Sequence, residues 1–392
     1  MRIITRAALA TAAIALAVGA AATVAMMASV DAQSIDRTFQ TEKARVRVTT
    51  FASGLRHPWG LAFLPDGQML VTERGGTLRL VSRNGTLSEP LAGVPKVDAR
   101  GQGGLLDVAL DPDFTSNRLV YISYSEPGPG GNSTAVARGA LSENGRSLEN
   151  VQVIFSQKPK VDSTLHFGNR LVFDGQGHLF VTLGERSEEE FRVQAQQLNS
   201  HLGKVVRINL DGSVPPDNPF VNQPNALPEI WSYGHRNPQG AALHPETGVL
   251  WLNEHGPRGG DEVNVVQPGK NYGWPVVSHG VNYSGTPVGT GKKSAPGMED
   301  PIHVWTPVIA ASGMAFYTGD LIPEWRGSLF NGGLVTNNVV RLELDGTRVT
   351  HEERLFDGLG QRIRHVKQGP EGALYLLTDE PDGVILRVAP AS

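Results

Sequence analysis

From Val46 onward the chain repeats one pattern: a short apolar run, a turn rich in Pro, Asp or Gly, and a second apolar run. Leu61–Thr72 is the first instance. Asp107–Phe114 with Leu119–Ser123 is the second, Arg170–Thr182 the third and Gly240–Leu252 the fourth. Met314–Tyr317 with Ser328–Phe330 is a looser fifth, and Val366–Thr378 is the sixth. Apolar runs of this length, joined by turn residues, predict antiparallel hairpins. Leu78–Val81, Val205–Ile208, Val339–Leu344 and Val384–Val388 supply further strands downstream. No long helical period interrupts them.

Six such units, spaced by about 45–75 residues, predict an all-β fold: a six-bladed β-propeller of four-stranded antiparallel blades. A β-sandwich is the alternative, but it rarely needs six repeats of one hairpin theme. The long excursions, residues 187–197, 214–228 and 257–304, are then functional loops on one face. The propeller occupies residues 46–392, after an N-terminal extension at 33–45. Residues 1–32 read as an export signal: Arg2 and Arg6, an apolar run from Ala7 to Val30, and cleavage near Ala32. An uncleaved anchor is the other reading of that run. No second run of spanning length follows, so the mature chain carries no membrane span.

Composition narrows the chemistry. The chain holds 46 Gly and 26 Pro, which suits many turns between short strands. Its net charge of -4 leaves no electrostatic footprint for nucleic acid. It has no cysteine, which excludes disulfides, thiolate zinc sites, iron–sulfur clusters and cysteine nucleophiles. Export without cysteine points to a bacterial periplasmic or secreted protein.

The polar motifs flank the apolar strands, so in a propeller they converge from different blades. His166, in His166–Arg170, is suited to removing a hydroxyl proton near neutral pH; a turn histidine is the plainer reading. Arg236, Arg362 and Arg364 offer forked donors for carboxylates or quinone oxygens. Arg362 and Arg364 share a face if they lie in a strand; a solvated blade edge would also accommodate them. Asp261, Glu262 and Tyr272 offer hard oxygens, and the Gly256–Pro257 turn offers carbonyls, a set that suits calcium. A turn stabilised by Asp261 explains the same residues. Trp59, Trp251, Trp274, Trp305 and Trp325 read as packing, whereas Tyr283, on the longest excursion, is placed to meet a ligand.

Taken in order, Pro58–Gly67, Gly101–Asp107, His166–Leu171, Gly234–Gly240, Glu254–Glu262, Asn271–Pro275 and Arg362–Arg364 resemble the soluble pyrroloquinoline-quinone-dependent sugar dehydrogenases, the glucose/sorbosone dehydrogenase family. The resemblance runs from about Val46 to Val388 and is nearest the periplasmic aldose sugar dehydrogenase branch. It implies oxidation of the C1 hydroxyl of an aldose to the lactone, with hydride passing to the quinone. It implies His166 as general base, with Gln102, Arg236 and Asn237 on cofactor or substrate and Arg362 and Arg364 on the cofactor carboxylates. Gly256 and Pro257 would offer backbone oxygens to a calcium ion, Glu262 and Tyr272 match a further calcium site, and Tyr283 matches an aromatic near the cofactor. An electron acceptor is implied too, and no motif identifies it. One departure stands out. Related enzymes often carry a lysine where this chain has Gly332–Asn338, which lacks one; Lys292 or Lys293 is the candidate substitute, and weaker cofactor retention is expected. A calcium-dependent propeller lactonase and a non-catalytic glycan- or protein-binding propeller are the competing functions.

Overall fold

The computed structural model describes residues 34–391; the segment read as an export signal lies outside them. Six antiparallel sheets follow one another along the chain. The first holds Pro58–Phe63, Met69–Glu73 and Thr77–Val81. The second holds Leu105–Leu110, Leu119–Gly128, Gly131–Leu141 and Leu148–Ser156. The third holds Gly168–Phe173, His178–Leu183, Lys204–Asn209 and Ile230–Tyr233. The fourth holds Pro238–Leu243, Leu250–Glu254, Asp261–Val266 and His303–Trp305. The fifth holds Ala311–Phe316, Leu329–Gly333, Asn338–Asp345 and Arg348–Leu355. The sixth holds Ile363–Gln368, Leu374–Thr378 and Gly383–Pro390. These are the blades of a six-bladed propeller.

Two blades depart from four strands. The first has three, because Pro90 and Pro95 lack the N–H a ladder needs and Ala92 bridges instead to Ser147 beside the second blade. The sixth has five. Arg45–Leu55 pairs with Gly383–Pro390, and Asp36–Gln40 adds the outermost strand. The two ends of the described chain thus share one sheet. Among the described residues, helix is confined to four segments of three or four residues, such as Phe114–Asn117, and none is long and apolar enough to cross a membrane.

The core lies between blades. Trp251, Val263 and Trp305 of the fourth pack on Met314 and Leu329 of the fifth. Trp325 and Phe330 of the fifth pack on Leu374 and Leu386 of the sixth. Each large side chain buried in this way contributes roughly 1.5–3 kcal/mol. Towards the axis the first strands of neighbouring blades lie side by side. Space there is tight enough to demand glycine: a Cβ on Gly60 would lie 2.7 Å from Asp107 Oδ1, and one on Gly313 would lie 2.6 Å from the His365 Cα.

Arg170 plugs the axis. Its Nε donates to Gln239 O (2.7 Å), Nη1 to Asp107 Oδ1 (3.0 Å) and Nη2 to Arg364 O (3.3 Å). Its guanidinium stacks 4.0 Å from the ring of Trp59. Five blades meet at that one side chain, its own and four others, and the channel is divided into a mouth and a far end.

Candidate active site

Every innermost strand begins at the same end of the axis, and the strand after it returns there. Residues just before the first strand and just after the second therefore gather at one mouth. Gln102, His166, Arg236, Asn237, Arg362 and Arg364 enter from strand starts; Glu185, His255 and Asp379 enter from strand ends.

His166 is buried and adopts φ 48°, a conformation a non-glycine residue holds only under constraint. Gln102 Oε1 accepts its backbone N–H at 2.9 Å. Arg186, packed 3.9 Å from the ring of Phe167, donates to Leu165 O at 2.9 Å and to Asn132 and Ser163. The imidazole Nδ1 lies 2.8 Å from Glu185 Oε1, and the carboxyl of Glu185 is fully buried. That contact places the ring hydrogen on Nδ1 and leaves Nε2 as a bare lone pair with no hydrogen bond. Burial lowers the imidazole below its ordinary pKa, Arg236 lowers it further, and Glu185 opposes both. A neutral base beside a buried acid is an arrangement for taking one proton.

Hydrogen bonds then run across blades. Glu185 N donates to Arg236 O (2.9 Å), and Asn237 Oδ1 accepts the N–H of Gly168 (3.0 Å). Arg236 Nη1 donates to His255 O (2.9 Å), and its guanidinium lies 5.1 Å from the ring of Trp274. Arg364 Nη1 meets Gln239 at 2.6 Å, so the Gln239 atom there is the oxygen, and His255 Nε2 must donate to it at 3.0 Å. Burial, then Arg364 and Arg236, hold the His255 imidazole well below its ordinary value. Trp59 and Trp274 therefore pack as expected and also carry the site's guanidinium groups on their faces.

Asp379 closes this series of hydrogen bonds. It receives Arg364 Nη2, lies 2.9 Å from His57 Nδ1 and 3.7 Å from Arg362 Nη2. Burial would raise its carboxyl; Arg364 overrides that and holds it well below the usual carboxylate range. Arg362 and Arg364 do reach the same side, but unequally: Arg364 is buried, while Arg362 is about two-fifths exposed and donates to Leu334 O (3.1 Å). Buried Nε atoms of both Arg236 and Arg364 lack a protein partner.

The Gly256–Pro257 turn separates two cavities. On one side lies an open cavity of about 580 Å³, lined by His255, Gly256, Pro257, Tyr283 and Val335. Tyr283 is 75% exposed on its rim. On the other side lies a narrow pocket lined by Arg236, Glu254, Glu262 and Tyr272. Burial, then the neighbouring Glu254, push the Glu262 carboxyl well above its usual value. Asp261 is the turn's internal brace: Oδ1 accepts from Gly256 N (2.8 Å), and Oδ2 accepts from Ile309 N (3.0 Å) and Ala311 N (3.1 Å). The phenol of Tyr272 is also spent, donating to Val265 O (2.6 Å) and accepting from Gln267 N (2.9 Å). Tyr272 is therefore left with its backbone carbonyl as a ligand oxygen. Among the described residues no cluster of three or more His, Asp or Glu side chains surrounds a single point.

Lys292 and Lys293 are exposed on the excursion and line neither mouth cavity. A guanidinium absent from the sequence reading lies nearer: Arg74 donates to Gly101 O (2.6 Å), beside Gln102, and its charge is felt at Asp379 and Arg364. Glu185, His255, Asp379 and His57 were likewise missed. The signal that could have found them is positional: a polar residue next to an apolar hairpin strand, on the side of the known motifs.

A profile of the Glucose / Sorbosone dehydrogenase family matches residues 55–387. The chain is 49% identical over 350 residues to the aldose sugar dehydrogenase YliI of Escherichia coli (strain K12), covering 88% of this chain and 94% of that one. The crystal structure of the soluble aldose sugar dehydrogenase from Escherichia coli, in its apo form, superposes with a TM-score of 0.85 and 48% identity, covering 88% of this chain and 100% of that one. The PQQ-bound form of the aldose sugar dehydrogenase from Streptomyces coelicolor superposes with a TM-score of 0.72 and 29% identity, covering 91% of this chain and 99% of that one.

Proposed function

The chain belongs to the glucose/sorbosone dehydrogenase family, and on that premise we propose that it is a pyrroloquinoline-quinone-dependent aldose sugar dehydrogenase that oxidises the C1 hydroxyl to the lactone, with calcium. The observation that carries the reading is His166: its Nδ1 is held 2.8 Å from buried Glu185, and its Nε2 is unencumbered within a mouth lined by guanidinium groups.

The bound quinone supplies the redox chemistry by accepting hydride from the sugar C1. The rest falls to this chain. Nε2 of His166 takes the C1 hydroxyl proton, while Glu185 fixes the tautomer and stabilises the imidazolium that forms. Arg236, Arg362 and Arg364 bind carboxylates of the cofactor; the unpartnered Nε donors of Arg236 and Arg364 support this, since an unsatisfied buried donor costs roughly 1–3 kcal/mol. Gln102 and Asn237 brace the backbone around His166 and border the same ligand, and Tyr283 covers its exposed side. Backbone oxygens of Gly256 and Pro257 would hold a calcium ion, whose positive charge stabilises negative charge gathering on the quinone. Glu262 with the carbonyl of Tyr272 would hold a further one. The elevated affinity of Glu262 for a proton supports a cation there, because a divalent ion relieves the same repulsion from Glu254. We read residues 1–32 as an export signal and the mature chain as periplasmic or secreted; sequencing the N-terminus of the exported protein checks this.

The test is reconstitution of the apo-protein with quinone and calcium. An aldose should bleach the oxidised cofactor's absorption and reduce an added dye only when cofactor is present. Absence of sugar-dependent reduction would refute the assignment.

A further inference from the structure

We propose that the far end of the axial channel is a second ligand site, selective for a small organic anion with an apolar body. A cavity of about 710 Å³ opens there, within the range of pockets that enclose small molecules, roughly 300–1,000 Å³. The C-terminal halves of all six innermost strands line it. Its walls are apolar, with Phe63, Leu110, Phe173, Leu243, Met314 and Phe316 from five blades.

The charges at its floor cancel. Asp107 is used up: Oδ1 takes Arg170 Nη1 and Oδ2 takes Leu171 N at 2.9 Å. Arg170 has a partner on each of its three nitrogens and lies against Trp59. Gln368 and Thr318 at the rim are bonded to one another, and Gln368 also accepts from Gly319 N. Two further polar side chains line the cavity, both from the sixth blade. Lys367 reaches solvent through the cavity and makes no hydrogen bond or ion pair with the described residues; the enclosing walls lower its ammonium below the ordinary value, Asp107 opposes that and Arg170 adds to it. His365 is 7% exposed, and its Nδ1 is buried without a partner. Burial, then Arg170, hold the His365 imidazole well below its ordinary value, so it adds hydrogen-bonding capacity rather than charge.

The lining thus carries one ammonium whose one opposite charge in the cavity wall, Asp107, is already paired with Arg170. A concave apolar site concentrates the field of such a charge and draws in an anion. The apolar walls reward a hydrocarbon body at about 25 cal/mol per Å² covered. Together they select an aryl carboxylate over a bare inorganic anion or a neutral arene. The Arg170 layer stands between this cavity and the mouth, so occupancy of one leaves the other free.

The probe is 2-naphthoate, with 2-naphthylmethanol as its uncharged counterpart, titrated into the full-length protein by calorimetry. We expect one equivalent to bind, with the carboxylate at least about tenfold tighter than the alcohol. Lys367→Met should erase that difference and Lys367→Arg should retain it. Loading the mouth with quinone should leave naphthoate binding unchanged. Absence of saturable binding, equal affinities for the two probes, indifference to Lys367→Met, or competition with the quinone would each overturn the proposal. Apart from the quinone arm, these readouts do not depend on the dehydrogenase assignment.

Discussion

The two ends of the propeller channel are built from the same six strands and have opposite characters. At the mouth, polar groups are linked in series from Gln102 through His166, Glu185, Arg236, His255, Gln239 and Arg364 to Asp379. Backbone strain collects there too, with positive φ at His57 (44°), His166 (48°), Asn169 (90°) and Ala310 (54°). Residues held in such conformations cost of order 1–3 kcal/mol each and persist where their surroundings over-determine them. At the far end the walls are mostly apolar strand, no non-glycine lining residue has a positive φ, and besides the Arg170–Asp107 pair and the mutually bonded Thr318 and Gln368 the polar groups are one ammonium and one histidine. One end spends stability on fixed geometry; the other is relaxed strand left open.

Removing the divider should affect both ends most. Arg170→Met leaves Asp107 buried without its counter-ion, and a loss of about 3–5 kcal/mol is expected in denaturant unfolding. A loss below about 1 kcal/mol would mean that the pair is not what joins the blades at the axis. Next comes the mouth alone. His166→Ala should cut turnover at least about 100-fold in steady-state assays while quinone affinity changes little, and Lys367→Met should leave turnover untouched. A smaller loss, about tenfold, is expected for Glu185→Gln. Glu185 favours the imidazolium, so removing it lowers the His166 pKa further. Activity needs the neutral ring, so the acid limb of the pH–rate profile should move to lower pH; movement to higher pH would contradict the base assignment. The smallest effect concerns the stretch that lacks lysine. Val335 is 58% exposed on the mouth cavity, and Val335→Lys should tighten quinone retention on gel filtration by up to about fivefold, the scale of an exposed ion pair. No gain would indicate that Arg74 already fills that role.

The blades were legible because a hairpin is a local object: its period of two and its turn residues are neighbours in the chain, as in Leu61–Thr72 and Gly240–Leu252. The motif-borne candidate residues were legible as positions, and the structure brings His166, Arg236 and Arg364 to one mouth. Their partners were not. Glu185 follows a strand in an unremarkable Gly-Glu-Arg, and Asp379 follows another; what makes each consequential is a contact across the axis or with a residue 15 to 322 positions away. The far cavity was illegible for the same reason. Phe63, Phe173 and Phe316 each read as the end of an ordinary apolar strand, and only closure of the circle turns them towards one another. Tyr272 shows the converse limit: residue type suggested a phenol ligand, and the fold had already engaged that phenol with Val265 and Gln267.

The sheet shared by Arg45–Leu55 and Gly383–Pro390 has a consequence for biosynthesis. Arg45–Leu55 acquires its hydrogen-bonded neighbour only after the five intervening blades have been synthesised. Contacts of such long sequence separation are slow to form. Until then, Arg45–Leu55 presents an open strand edge to whatever surrounds the nascent molecule. A chaperone that shields Arg45–Leu55 until Pro390 arrives would set the yield of folded protein without touching a single residue of the mouth.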